Sequence, residues 1–227
     1  MKQIYTILFD LDGTLVDTAP DLMRAHNHVM NKFGYPTKST EEIRNLVGQG
    51  AGAMLGRSIW GQAKKEFGKV QDEKIKKEMI KEFVDYYGKN IVNESKLIDG
   101  VKDFLIWSKE KKISMGVCTN KQEHLAIDLL KKIGIYDFFE YVAGHNTFEY
   151  CKPDPRHLTS VVEILGGNIK KTLMIGDSET DANAAQNAGI PIILLEDGYT
   201  EKNTTEIYHN HLVKDFVGIE KIVLEYL

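Results

Sequence analysis

FDLDGTLVDT (residues 9–18) closes the apolar run IYTILF (4–9) with two aspartates two positions apart, then turns on Gly13-Thr14. Residues i and i+2 of an extended strand point to the same side. Asp10 and Asp12 therefore crowd one another unless the chain bends there or a cation lies between them. Both remedies suit chemistry, while the plainer alternative is a strand ending in a polar Asp-Gly turn. Further short apolar runs follow: ISMGVC (113–118), FEYVAG (139–144), TLMIG (172–176), IPIILL (190–195) and HLVKDF (211–216). Stretches of helical period separate most of them. LIDGVKDFLIWSKEKK (97–112) spaces Val101, Phe104, Leu105 and Trp107 as a core-facing stripe. HLAIDLLKKIG (124–134) and HLTSVVEILGG (157–167) do the same, each closing on a glycine suited to a helix C-terminus. Apolar strands alternating with helices predict an α/β fold with a parallel sheet covered on both faces.

The interval between the first two strands, residues 10–113, is far longer than a crossover needs. Its pattern is helical. Thr18 with Pro20 and Asp21 has the form of an N-cap and first turn, and Leu22, Ala25, Val29, Met30 and Phe33 follow at helical spacing. Ser39 with Glu42 is a capping-box pattern. KKEMIKEFVDYYGK (76–89) is a charged amphipathic helix, and the run KIKKEMIKE (74–82) is its solvated face. The expectation is a core of residues 1–14 and 96–227 with a small helical domain, 15–95, inserted after the first strand.

Composition excludes several function classes. A net charge of −4 over 227 residues lacks the basic footprint of a nucleic-acid binder. No stretch is apolar for long enough to span a bilayer, and the N-terminus does not read as a signal peptide. Cys118 sits in an apolar run and Cys151 before Lys152-Pro153, with no CxxC pair, which fits a reducing, cytoplasmic setting. Cys118 reads as a core residue. His26 and His28, two apart on a helix, face different ways and make poor joint ligands; His209 and His211 read as surface residues. Gly48, Gly50 and Gly52 either loosen a loop or approach a substrate.

Ligands of open α/β sheets bind outside the carboxyl ends of the strands. Four polar clusters fall on that edge: Asp10 with Asp12, Thr119-Asn120-Lys121, Lys152-Pro153-Asp154-Pro155, and Asp177-Ser178 with Asp181. Singly they admit a cap, a turn or a helix start. Together they suggest a site. Converging carboxylates of Asp10, Asp177 and Asp181 need a hard divalent cation, most simply Mg²⁺. A hydroxyl, backbone amides and a lysine beside it suit a dianionic phosphoryl group. An aspartate there can attack phosphorus, and a carboxyl two residues on can protonate the leaving oxygen and then activate water.

DLDGT, the run ending in TN, the lysine of KPDP and GDSETD together resemble the four motifs of the haloacid-dehalogenase-like (HAD) phosphatase superfamily, in order across the whole chain. The resemblance implies a Rossmann-like parallel core, with the helical insertion as the family's cap. LVDTAPDLMRAHN (15–27), RNLVGQGAGAML (44–55), TNK and Gly198-Tyr199 are similar to phosphoglycolate phosphatases in particular, although pyrophosphatases and sugar phosphatases of that subgroup share much of this. By position, the resemblance makes Asp10 the nucleophile and a metal ligand. It makes Asp12 the general acid/base, whose carbonyl also binds metal. Leu11, Asp12, Thr119 and Asn120 hold the phosphoryl group, and Lys152 neutralises it and steadies Asp10. Asp177 ligates Mg²⁺, with Asp181 and Ser178 behind it. The implied activity is Mg²⁺-dependent hydrolysis of a small phosphorylated metabolite, foremost 2-phosphoglycolate, by a monomer or homodimer.

Departures from the pattern bear on the substrate and leave the chemistry alone. Asp99-Gly100 stands where Pro-Gly is common, HNTFEYCKP (145–153) is rich in aromatics, and SIWGQAKKEFGKVQDEKI (58–75) has no counterpart. Asp12 argues against halide displacement, which needs no acid at this position. A phosphosugar mutase using the same aspartyl-phosphate is a further alternative. A non-enzymatic phospho-receiver fits less well, since receivers lack the second acid and the cap.

Overall fold

A computed structural model describes residues 5–60 and 70–226, so 61–69 of the stretch 58–75 lie outside it. The chain begins with strand β1 (Thr6–Phe9) and a two-residue strand β2 (Val16–Asp17). Four helices follow: α1 (Ala19–Phe33), α2 (Thr40–Arg44), α3 (Ala51–Trp60) and α4 (Val70–Lys89). A second short strand, β3 (Lys96–Leu97), leads into α5 (Val101–Glu110), β4 (Ser114–Cys118), α6 (Glu123–Ile133) and β5 (Tyr141–Ala143). The remainder is α7 (Arg156–Ile164), β6 (Thr172–Gly176), α8 (Glu179–Ala188), β7 (Ile192–Leu195), β8 (His211–Val213) and α9 (Glu220–Leu224).

The apolar runs pair as one parallel sheet in the order β5-β4-β1-β6-β7-β8. Strand β1 is interior, with Phe9 opposite Val117 on one side and Ile175 on the other. Its side chains alternate between two buried clusters. Ile7 and Phe9 pack with Phe104, Phe139 and Phe216, and Leu8 packs with Leu158, Val161 and Met174. Phe9 meets Phe104 and Phe139 edge to face, at centroid distances of 6.2 and 5.8 Å. Burial of both faces is why these strands read as unbroken apolar runs. No helix among the described residues is long and apolar enough to cross a membrane.

The inserted helices pack on one another, α4 against both α1 and α3. Leu22, Ala25, Val29 and Met30 are buried as their spacing predicts, and Phe33 is half-buried. Helix α1 ends on Gly34, whose φ of 77° lets its N–H reach the Met30 carbonyl. The Ser39–Glu42 capping box forms. The start of α1 differs from the sequence expectation. Thr18 occupies the N-cap position without capping; its hydroxyl donates to Asp12 Oδ1 at 2.7 Å. Asp21 is buried and accepts the N–H groups of Asn93, Glu94 and Ser95 and the Ser95 hydroxyl. It fastens the start of the insertion to its end. Beside that fastening, β2 and β3 pair antiparallel, Val16 with Leu97 and Asp17 with Lys96, a ribbon too short to register as periodicity. In α5, Val101, Phe104 and Leu105 are buried, whereas Trp107 is half-buried and Ser108 takes its place inside.

Candidate active site

Strand β1 stops at Phe9, and the chain turns at Gly13, whose φ is +85°. A side chain at Gly13 would meet Asp177 Oδ2 at 2.3 Å, so glycine is required by both conformation and space. The turn resolves the crowding of the two aspartates by giving each its own lysine. Lys152 Nζ lies 2.8 Å from Asp10 Oδ1 and 2.6 Å from Asp181 Oδ1. Lys121 Nζ lies 2.7 and 2.8 Å from the two oxygens of Asp12. Thr18 adds a hydrogen bond to Asp12.

Asp10, Asp177 and Asp181 are buried, with carboxylate oxygens within 4.8 Å of one another. Burial pushes the Asp10 carboxyl up to about 6 against the pull of Lys152, and Asp181 and Asp12 push the same way. Burial and the charges of Asp181 and Asp10 hold Asp177 well above the carboxylate range, opposed by the Tyr199 amide and the Thr14 hydroxyl. Those two donate to Asp177 at 2.7 and 2.8 Å. Lys152 stays protonated, because Asp10 and Asp181 outweigh its burial. Fully ionised, the three carboxylates would exceed the one ammonium by two negative charges, which a divalent cation would balance. Asp181 Oδ2 accepts from the Ser178 amide and hydroxyl at 3.1 and 2.6 Å, so both oxygens of this carboxylate are engaged in holding Lys152 and the start of α8.

Asp10, Asp12, Thr119, Asn120, Asp177 and Ser178 border one cavity of about 440 Å³, walled on its far side by the insertion. Lys152 and Asp181 are not in its lining; Lys152 bridges Asp181 to Asp10. Leu11 is fully buried and offers only its backbone. The N–H groups of Leu11, Asp12 and Asn120 donate to nothing among the described residues, and the Thr119 hydroxyl accepts from Lys121 N–H while donating to none. Four donors are thus available beside Asp10. The Asn120 amide nitrogen is already used, bonding the carbonyls of Gly48 and Lys152 at 3.0 and 2.9 Å. Gly48, Gly50 and Gly52 line the cavity, as one of their two readings anticipates.

Three residues with clear positions here had no role in the sequence reading. Lys121 pairs with Asp12, its Nζ also 4.6 Å from the Tyr87 ring centroid. Tyr87 borders the cavity from α4. Tyr199 gives its amide to Asp177, takes the Ala19 N–H on its hydroxyl at 2.9 Å and donates that hydroxyl to Asp17. Gly198 before it has Asp177 O where a Cβ would stand. TNK and Gly198-Tyr199 were noted as a likeness, and tertiary contact alone supplies their meaning. Cys118 is a core residue as expected, its thiol pushed up to about 12 by burial. His26 bonds Ser58 and Asn27, and His28 bonds Glu82. His209 and His211 do not border the cavity, but they are half-buried where the sequence suggests surface positions, because the His209 ring turns back to the Ile207 carbonyl and the His211 ring packs on Tyr226.

Residues 7–195 match the family described as haloacid dehalogenase-like hydrolase. A phosphoglycolate phosphatase of Caulobacter vibrioides is 36% identical over 222 residues, covering 98% of this chain and 92% of that protein. One of Mesorhizobium japonicum is 34% identical over 210 residues, covering 92% and 90%. A crystal structure described as a predicted phosphoglycolate phosphatase from Haemophilus somnus superposes with a TM-score of 0.88 at 30% identity, covering 98% of this chain and 99% of that one. A β-phosphoglucomutase from Clostridium difficile, 23% identical with a TM-score of 0.77, shares the fold. By sequence, fold and site, this chain belongs to the haloacid dehalogenase-like hydrolases.

Proposed function

We propose that this protein is a Mg²⁺-dependent phosphatase that hydrolyses 2-phosphoglycolate to glycolate and phosphate through an aspartyl-phosphate on Asp10. The observation that carries this reading is the separation of the two aspartates. Asp10 faces Lys152 and the other buried acids, and Asp12, two residues on, faces the cavity with a different lysine. Residues 15–95 act as a cap that closes the site against water.

Asp10, Asp177 and the Asp12 carbonyl would hold the Mg²⁺, with Asp181 and Ser178 behind them. When bound, the ion offsets the charge of Asp10 and of the phosphoryl oxygens so that one anion can approach the other. The unpaired amides of Leu11, Asp12 and Asn120, the Thr119 hydroxyl and Lys152 receive the phosphoryl oxygens. A carboxylate oxygen of Asp10 forms the bond to phosphorus as the bond to the leaving oxygen breaks. The Asp12 carboxyl gives its proton to that oxygen, and glycolate departs with a free hydroxyl. Asp12, now ionised, takes a proton from water, whose oxygen attacks phosphorus and restores Asp10. The proton gained returns Asp12 to its starting state. Support for this substrate comes from the relatives' names, and a cytoplasmic setting is supported by the two free cysteines.

Phosphate release from a panel of phosphomonoesters and pyrophosphate tests the proposal. The expected result is fastest turnover of 2-phosphoglycolate, abolished by chelation and restored by Mg²⁺. Preference for pyrophosphate or a sugar phosphate would reassign the substrate; no release from any ester would end the phosphatase reading.

A further inference from the structure

The cavity holds a second set of polar groups that phosphoryl transfer leaves unused. Two lysines border it among the described residues, Lys121 and Lys76. Lys121 is the buried one, its side chain 5% exposed, and its charge rests on Asp12 and the Tyr87 ring. The Tyr87 hydroxyl is buried and has no hydrogen-bond partner among the described residues. Burial, with the charges of Asp12 and Asp21, holds that hydroxyl well above its ordinary pKa, so it remains a donor. The cavity is also lined by the apolar Leu22, Phe83, Val84 and Leu125 and by the polar Gln49, Gln122 and His145. A buried donor left orphaned at the wall of a cavity calls for a partner.

Lys121 and Tyr87 stand together on one stretch of the cavity wall, Nζ 4.6 Å from the ring centroid and beside the Asp12 carboxylate. An ammonium with an unpartnered hydroxyl donor next to it suits a second anion on the substrate. We propose that Lys121 and Tyr87 form the subsite for a carboxylate carried by the carbon next to the ester oxygen, and so set the selectivity for carboxylate-bearing phosphomonoesters. This rests on the phosphatase reading above. Lys121 Nζ, 2.7–2.8 Å from the Asp12 oxygens, is within one carbon's reach of an oxygen that Asp12 protonates. The substrate carboxylate joins Asp12 on the Lys121 ammonium and takes the Tyr87 hydroxyl hydrogen bond, while proton transfer to the leaving oxygen stays with Asp12 as above. The carboxylate itself forms and breaks no covalent bond.

The test compares 2-phosphoglycolate with 2-hydroxyethyl phosphate, its neutral analogue, at saturating Mg²⁺. Wild type is expected to favour the carboxylate ester in kcat/KM by at least about 10-fold, and Lys121→Met to cut that preference by about 10- to 100-fold. Tyr87→Phe is expected to cut it about 3- to 10-fold through a higher KM, with Tm unchanged because the lost hydroxyl had no partner. The readout is the ratio between esters, which a general loss of structure or acid strength would not move selectively. The inference is overturned if both variants keep the wild-type preference, or if Lys76→Met collapses it and Lys121→Met does not. It is also overturned, with the phosphatase reading intact, if wild type hydrolyses both esters equally well. No hydrolysis of either ester by wild type would bring down both.

Discussion

Asp10 and Asp12 are chemically identical side chains separated by their partners. Asp10 has Lys152 and the company of two further buried acids; Asp12 has Lys121 and the Thr18 hydroxyl at the cavity wall. The mutations Asp10→Asn and Asp12→Asn should therefore fail differently. Without Asp10 no covalent phosphoenzyme can form. Without the Asp12 carboxyl, proton transfer is lost, an effect of about 10² to 10⁴ in rate. With p-nitrophenyl phosphate, whose leaving group needs little protonation, Asp12→Asn should still phosphorylate itself and then stall. Mass spectrometry of quenched protein is expected to find the added phosphoryl group on Asp12→Asn and none on Asp10→Asn; the reverse pattern would exchange their roles. The sequence made Asp10, Lys152 and Asp177 legible because each belongs to a motif, Asp10 and Asp177 just past strand ends and Lys152 just ahead of a helix. Tyr87 and the pairing of Lys121 with Asp12 were not legible, since no spacing links position 12 to 121 or 87.

At the scale of elements, the helix α1 is anchored by a residue whose sequence role was only that of a first-turn acid. Asp21 collects four donors from residues 93–95, the segment by which the chain leaves the insertion. Its removal in Asp21→Ala strands these donors in a buried place, and we expect a loss of about 3 kcal/mol in chemical denaturation. Asp21→Asn, which keeps one acceptor oxygen, should lose less. Burial raises the Asp21 carboxyl, but the Ser95 hydroxyl and the amides of Glu94, Ser95 and Asn93 outweigh it and hold it below its ordinary value. A depressed folded pKa means that the contribution is complete above the unfolded value of about 4 and disappears as pH falls further, through the folded value. The acid limb of the stability curve should therefore flatten in Asp21→Asn. An unchanged acid limb would contradict the assignment. The helices and parallel strands were legible because burial of both sheet faces writes itself as apolar runs. The ribbon of β2 with β3 was not, because two-residue strands carry no period.

For the molecule as a whole, the buried acids oppose folding unless a cation joins them. With its folded carboxyl raised to about 6, Asp10 binds its proton more tightly than the unfolded chain does. The metal-free protein should accordingly lose stability as pH rises from about 4 to 6 and keep that deficit above it. Mg²⁺ should remove the deficit, since it binds the folded state alone. Asp177→Asn separates this electrostatic load from structural support. Asparagine can keep both local bonds: its oxygen can accept the Tyr199 N–H, and its amide can donate to the Thr14 hydroxyl, which turns from donor to acceptor. The variant then lacks a carboxyl whose raised folded value costs stability above the unfolded value of about 4, and it loses no hydrogen bond. We expect the metal-free variant at pH 7.5 to melt about 2–4 °C above metal-free wild type, as a gain of about 1 kcal/mol would give in a chain of this size. The variant should also show a shallower fall between pH 4 and 6, little response of Tm to added Mg²⁺ and no turnover at ordinary Mg²⁺. Paired thermal melts across pH, with and without Mg²⁺, measure all but the last. A lower Tm for metal-free Asp177→Asn would mean that the carboxylate supports the Thr14 and Tyr199 turns more than it burdens the fold, and that the surplus negative charge is not what the cation relieves.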